Sequence, residues 1–328
     1  MTAPVMEKPF FPLYERFPGL REIPRVELCS LPSPVQSLAH ILPDLWIKRD
    51  DLNALVCGGN KVRALEFLLG GMRAGDSVIT VGGTGSTHIL ATALHAARLG
   101  VSTFALRWRH EMNPVASEVS SRIEALIERS TVHLTPVLPI ARARLRAMRG
   151  KTRYIPVGGS TPLGVLGHVN AALELAGQIE AGEMPQPSTV ILPMGTGGTA
   201  AGLLLGFAAA GLDIEVVGVR TGPRMFANKR AVLSLARRTE RLIGTICGER
   251  INAVDADRLR VIHTAYGGAY GRPVEGAARA ALDLHEAIGI RLDDTYTAKA
   301  WIGTVKERDR TPGTLLYWFT FDASCLTS

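Results

Sequence analysis

The chain holds 328 residues, 46% of them apolar and 20% charged, which excludes disordered and fibrous classes and leaves one large or two ordinary globular domains. Its formal net charge of +7 would suit nucleic acid or an anionic substrate, yet most cations are interspersed with acids. The one dense run, Arg142, Arg144, Arg146, Arg149, Lys151 and Arg153, lacks interleaved aromatics for stacking bases; it reads as a solvated helix face, and no nucleic-acid partner is expected.

Residues 1–43 are rich in proline and short apolar patches and are expected to wrap in extended form. Residues 1–11 carry prolines and charges where a signal peptide has an apolar core. No apolar run approaches the roughly 18 residues of a membrane span. Residues 45–51 read as a short strand. Then comes Cys57-Gly58-Gly59-Asn60-Lys61-Val62-Arg63, a glycine turn with a lysine at the mouth of an amphipathic helix over 60–70. A lysine there is sited to form a Schiff base if burial or a cationic neighbour lowers its pKa. From this point strands and helices alternate: strand 77–81, helix 89–99, strand 102–108, helix 114–129, strand 131–137, helix 140–149 and strand 153–157. The second half continues with helix 163–179, strand 189–194, helix 200–210, strand 214–219 and helix 226–243. Residues 260–263 read as extended, 273–288 and 297–305 as helical, and 314–319 as a last strand. Such alternation predicts an α/β fold of parallel sheets with helices on both faces. Ligands in such sheets sit beyond the carboxyl ends of the strands, where three glycine turns fall.

The Gly195-Thr196-Gly197-Gly198-Thr199 turn joins a buried strand to a helix and offers free amides and hydroxyls to an anion. It lacks the Walker lysine, so a nucleoside triphosphate is excluded. Gly195, Gly197 and Ala200 fit a loose dinucleotide pattern, but strand 214–219 runs into Arg220 and Thr221 without the acid that holds a ribose hydroxyl. A nicotinamide-dependent oxidoreductase is the alternative from another enzyme class. At residues 82–88, Ser86 and Thr87 either cap the following helix or enter a pocket with Lys61. His88 and His95 share a helix face without the spacing of a metal site, and no metal is expected. Cys29, Cys57, Cys247 and Cys325 are far apart with no CxxC pair, so neither zinc site nor disulfide framework is expected. A reduced, cytoplasmic setting follows.

Taken in order, several segments resemble the pyridoxal-phosphate enzymes that include D-cysteine desulfhydrase and 1-aminocyclopropane-1-carboxylate deaminase. They are Ile47-Lys48-Arg49-Asp50-Asp51-Leu52, Gly58 to Arg63, Ser86 with His88, and Pro156 to Ser160. Gly195 to Thr199, Tyr270-Gly271-Arg272-Pro273 and Tyr296-Thr297-Ala298-Lys299-Ala300 complete the set. The resemblance implies a two-domain pyridoxal-phosphate fold type II (tryptophan synthase beta-like), each domain a mostly parallel twisted sheet flanked by helices. The large cofactor-binding domain would be residues 1–53 and 156–328, with 54–155 as a smaller inserted domain.

By that resemblance pyridoxal 5'-phosphate is the cofactor. Lys61 would bond it, Gly195, Thr196, Gly197, Gly198 and Thr199 would hold its phosphate, and Thr297 would meet the pyridine nitrogen. Asn60 and Thr87 would also contact it. Ser86, Tyr270 and Tyr296 match the family's active-site serine and tyrosines, and with Lys61 form the catalytic set. The implied activity is a lyase or deaminase of a small amino acid, D-cysteine desulfhydrase-like α,β-elimination to a 2-keto acid, ammonia and sulfide. Ring opening of the deaminase type, or a repurposed relative with another amino-acid substrate, are the alternatives. A homodimer is expected. Three departures from the family pattern, at Gly85-Ser86-Thr87-His88, at Gly267-Gly268-Ala269 and at Phe319-Thr320-Phe321-Asp322, are expected to lie at the pocket, with Phe321 and Asp322 replacing glycines.

Overall fold

The computed structural model describes residues 11–127, 129–148, 152–248, 251 and 254–327; the first ten residues of the expected wrapping segment, and Arg149 and Lys151 of the basic run, lie outside them. In chain order the first elements are α1 (Pro12–Arg16), β1 (Val35–Ser37), β2 (Leu45–Arg49), α2 (Asn60–Leu68), β3 (Ser77–Gly83) and α3 (Thr87–Ala97). Next are β4 (Ser102–Trp108), α4 (Pro114–Leu126), β5 (Arg129–His133), α5 (Val137–Met148), β6 (Thr152–Ile155) and α6 (Pro162–Glu180). The remainder are β7 (Thr189–Met194), α7 (Gly198–Ala210), β8 (Glu215–Arg220), α8 (Lys229–Cys247), β9 (Leu259–Ile262), α9 (Ala277–Ile288), α10 (Thr297–Arg308) and β10 (Leu315–Phe319).

The strands form two sheets. The larger runs β1-β2-β10-β7-β8-β9 and the smaller β5-β4-β3-β6. Both are parallel except where β1 lies antiparallel on β2. β7 and β10 are buried along their whole length, as expected of central parallel strands covered on both faces. Helix α7, GTAAGLLLGFAAA, is apolar nearly all round and is buried from Gly198 to Phe207, which fits a helix enclosed by protein. α6 and α8 pack on it.

Several boundaries differ from the sequence reading: the helix expected over 114–129 ends at Leu126, that over 226–243 is Lys229–Cys247, and that over 273–288 begins at Ala277. The strand expected over 131–137 is Arg129–His133, and the following helix begins at Val137. Pro136 has no N–H to give a strand ladder, while Pro139 is tolerated in a first helical turn. The segment expected to lack regular structure contains α1 and a short 3-10 turn over Pro18–Glu22. It wraps α2: Glu66 accepts hydrogen bonds from the Arg25 side chain and from the amides of Leu28 and Cys29, each at 3.0 Å.

The helix that carries Lys61 is fixed by a buried ionic network. Arg63 pairs with Asp50 at 2.7 Å and with Glu174 at 2.9 Å, and Lys48 reaches Glu174 at 2.6 Å. Trp318 Nε1 donates to the second oxygen of Asp50 at 2.8 Å. Burial pushes the Glu174 carboxyl up, but Arg63 and Lys48 outweigh it and hold the group at about 2. Removing one partner would leave an uncompensated buried charge, at a cost of about 3–5 kcal/mol. The network thus ties α2 to the end of β2, to α6 and to β10. Among the described residues no helix is long and apolar enough to cross a membrane.

The cysteines correct the sequence expectation. Cys57 and Cys325 form a disulfide, with Cα atoms 5.3 Å apart across a sequence separation of 268. No local spacing could reveal a pair that only tertiary folding brings together. The bridge ties the turn before Lys61 to the C-terminal segment.

Candidate active site

The turn that presents Lys61 is clamped on both sides. Asn53 accepts from the Gly59 amide at 2.9 Å and donates to the Gly59 carbonyl at 3.2 Å. The Asn60 amide donates to the carbonyl of Thr320 at 3.2 Å. Gly59 has φ +148°, and a Cβ on it would run into that same carbonyl, so only glycine fits. Asn60 donates from its side chain to Thr199 Oγ1 at 2.8 Å and accepts from Lys61 Nζ at 3.2 Å. The amine and the glycine turn before α7 are therefore linked through one side chain.

Lys61 borders two adjoining spaces. One is a cup formed by Gly195 to Thr199 together with Asn60, Ser160 and His168. Gly197 caps α7 in the left-handed conformation, and Ser160 and Thr196 share a hydrogen bond of 2.6 Å. The other is a deeper cavity holding Ser86, His88, Tyr270 and Tyr296. Lys61, Gly158, Gly195 and Thr196 line both.

The structure thus brings together Lys61, Asn60, Ser86, Tyr270, Tyr296 and Gly195 to Thr199. Ser86 does both things expected of it: its hydroxyl caps α3 by accepting from the Ile89 amide at 3.5 Å, and it lines the cavity. Thr87 is set apart, in a small cleft with Cys57, Thr320 and Phe321 that also touches Lys61. Thr297 lines neither the cup nor the cavity. Its hydroxyl donates to Asp293 Oδ2 at 2.8 Å and accepts from the Asp293 amide at 2.8 Å. Of the two residues that replace glycines, Phe321 lines that small cleft beside Lys61, and Asp322 lines neither it, the cup nor the cavity. Phe321 belongs to an apolar cluster with Ile89, Leu90 and Val115, and Asp322 accepts from the amides of Arg291 and Ser324. Neither lines the cavity of the tyrosines.

Burial lowers Lys61 from 10.5 to about 8, with Asp293 opposing the shift. His88 falls to about 3 through burial and the neighbouring Lys61 charge, and His168 falls well below its ordinary value for the same reasons. Both imidazoles are neutral at physiological pH. The Tyr270 and Tyr296 hydroxyls hydrogen-bond each other. Burial pushes Tyr270 up to about 12 and Tyr296 well above its ordinary value. The site therefore offers a lysine that sheds its proton easily, beside two phenols that keep theirs.

Sequence reasoning missed several members. His168 in the cup, and Trp108, His110 and Phe226 around the cavity, carry no local signature, and Ser160, also in the cup, enters the sequence reading only as the end of the Pro156 to Ser160 turn. Asn113 also went unnoticed. Its side chain donates to the Gly271 carbonyl at 2.8 Å and to Thr295 Oγ1 at 3.0 Å, and so fixes the segments bearing Tyr270 and Tyr296 against the start of α4.

Comparison with known proteins gives one consistent answer. Residues 27–317 match the family described as pyridoxal-phosphate dependent enzyme. The nocardicin C-9' epimerase of Nocardia uniformis subsp. tsuyamanensis is 36% identical over 91% of this chain and 92% of its own. A D-cysteine desulfhydrase of Salmonella paratyphi A is 31% identical over 94% of this chain and 96% of its own. Among solved structures, an ACC deaminase homologue superposes with a TM-score of 0.77 at 29% identity, covering 95% of both chains. These matches leave the nicotinamide alternative without support. The chain belongs to the pyridoxal-phosphate-dependent enzymes, in the fold type II branch that holds the desulfhydrases and deaminases.

Proposed function

We propose that the protein catalyses α,β-elimination from an amino acid bearing a β-leaving group, D-cysteine being the simplest such substrate. The observation that carries this reading is the pairing of an easily deprotonated Lys61 with two protonated phenols in one cavity.

The residues fit the cofactor. Hydroxyls of Ser160, Thr196 and Thr199 and the first amides of α7 converge on the cup, the arrangement that favours a phosphate dianion. At Gly158, φ +66° with a Cβ that would strike Thr196 Oγ1, any larger residue would fill this space. His168 Nδ1 and the buried Thr221 hydroxyl, beside Gly195, have no partner among the described residues. Each such orphan costs about 1–3 kcal/mol, which a bound polar group would relieve. When bound, pyridoxal phosphate supplies an electron sink for charge developing at the α-carbon.

This chain's own residues would do the rest. Lys61 would hold the cofactor through its aldehyde, and its Nζ would take the α-proton of the substrate. Ser86 and the first amides of α3 hold the substrate carboxylate, since the first turn of a helix has N–H groups without intrahelical acceptors. Tyr296 and Tyr270 give a proton to the departing heteroatom. His88, held neutral beside Lys61, adds no charge that would oppose proton uptake there. With cysteine and water the products are pyruvate, sulfide and ammonia.

A second reading is proton return to the same α-carbon, an epimerisation. The 36% identical relative is named an epimerase, and two phenols beside one amine supply both halves of such an exchange. Incubation with amino acids in deuterated water separates the two. Keto-acid release supports elimination; deuterium uptake with inversion and no keto acid supports epimerisation, and neither outcome with any β-substituted amino acid would contradict both.

The two sheets support a division into 1–53 with 156–328 and an inserted 54–155. We offer a cytoplasmic homodimer as the working form, on the family resemblance.

A further inference from the structure

The cavity beside Lys61 has a mixed lining. Ser86, His88, Tyr270 and Tyr296 give it polar groups, while Trp108, Pro136, Ile140, Pro223 and Phe226 give it apolar walls. Lys61 is the only lysine, arginine or carboxylate among the described residues lining it. His110 also lines it, with both nitrogens occupied. Nε2 accepts from the Gly85 amide at 3.1 Å, which leaves Nδ1 as the protonated atom, donating to the Glu111 carbonyl at 2.7 Å. Its ring packs edge-on against Tyr270, so the carbon edge is what remains for a ligand.

Phe226 of this lining is itself 41% exposed, and Leu134, Val137 and Met225, close in sequence to Pro136 and Pro223, are 77%, 74% and 75% exposed. An apolar lining with apolar groups left exposed beside it suits an apolar ligand. Cysteine ends one atom past its β-carbon and would leave these walls in water.

We infer that the substrate is an α-amino acid whose β-sulfur or β-oxygen carries an extended apolar group of aryl or aralkyl type, and that Trp108, Ile140 and Phe226 select it. The inference rests on the pyridoxal-phosphate reading above. The α-C–H bond gives its proton to Lys61 Nζ, and the bond from Cβ to the heteroatom breaks with its electron pair going to the heteroatom. The tyrosine pair protonates that atom, and water releases ammonia. An S-substituted cysteine plus water thus yields a thiol, pyruvate and ammonium, with no oxidant or reductant. A charged substituent would find no counter-charge on these walls, and burying it unpaired is costly.

The test is stopped-flow mixing of the holoenzyme with D- and L-forms of cysteine, S-methylcysteine, S-benzylcysteine and, as the charged control, S-carboxymethylcysteine, the absorbance change before turnover giving an apparent Kd for each. S-benzylcysteine is expected to bind at least about 10-fold tighter than cysteine, as burial of a ring implies, and S-carboxymethylcysteine no tighter than S-methylcysteine. Phe226→Ala and Ile140→Ala, each verified to retain wild-type pyridoxal phosphate content, should lower the benzyl-to-cysteine affinity ratio by roughly 5-fold. The inference is overturned if cysteine binds and S-benzylcysteine binds no better, a result the unmodified protein alone can give. It is equally overturned if the ratio is unchanged in both variants. Failure of the parent reading has a different signature, a protein that takes up no pyridoxal phosphate at all, and that would overturn both.

Discussion

The hydroxyls of Tyr270 and Tyr296 are hydrogen-bonded to each other in the cavity that Lys61 lines. Tyr296 precedes the first residue of α10, Tyr270 lies in the glycine-rich stretch before α9, and Asn113 holds both segments by donating to Gly271 and Thr295. Burial makes both phenols harder to ionise; the hydrogen bond between them adds to this at Tyr296 and only partly offsets it at Tyr270, so the pair acts as acid and not as base.

That assignment makes Tyr296→Phe informative. Elimination should slow by about 100-fold or more, the usual scale of a lost general acid, while the bound cofactor keeps its absorbance. Steady-state rates on a substrate with a poor leaving group, beside one with a good leaving group, check it. The loss should shrink as the leaving group improves, because a stable anion needs no proton. An equal loss on both would remove Tyr296 from this role.

The lowered pKa of Lys61 sets a pH dependence for cofactor capture. Only the neutral amine attacks an aldehyde. With the pKa lowered from 10.5 to about 8, about one amine in ten is neutral at pH 7, against about one in three thousand for an unperturbed lysine. Stripped enzyme should therefore recapture pyridoxal phosphate at a rate that rises with pH and levels off above about 8. Stopped-flow absorbance across pH 6 to 10 (roughly two units either side of the lowered value) follows it directly. A rate still climbing near pH 10 would show that burial does not lower this amine.

The Cys57–Cys325 bridge predicts a redox dependence. Disulfides are uncommon in reducing compartments, and this one anchors the turn that precedes Lys61. Thiol titration of the denatured protein should find two fewer thiols before reduction than after it. Reduction, or Cys325→Ser, should lower stability by about 2–4 kcal/mol, read as a lower melting temperature. Equal thiol counts would mean that the pair stays reduced, as a cytoplasmic setting favours.

Much of this architecture was legible in the sequence. The apolar run of β7 and the strand β4 declare themselves locally, as does the Gly195 to Thr199 turn, because strand burial and tight turns are properties of a few neighbouring residues. Lys61 was legible through its glycines. The rest depended on packing. Pro136 and Pro139 hid the start of α5 inside what looked like a strand. Phe321 does line a small cleft with Lys61, but its ring also joins the apolar cluster beneath α3, which sequence position could not tell. Thr297 stands next to Tyr296 in sequence, but its hydroxyl is committed to Asp293. His168 and Phe226 reach the site from separate segments, and Cys325 pairs across 268 residues.

The account rests on Lys61 as the residue that bonds the cofactor, and two other lysines are credible rivals on physical grounds. Burial also lowers Lys299, to about 8, and Lys48, but neither lines the cup or the cavity. The decisive measurement is borohydride reduction of the protein loaded with pyridoxal phosphate, followed by peptide mass mapping. We expect the visible absorbance to bleach and the pyridoxyl group to be found on the peptide containing Lys61, with no label in Lys61→Ala. Label on Lys299 or Lys48, or a loaded protein without the absorbance, would contradict it.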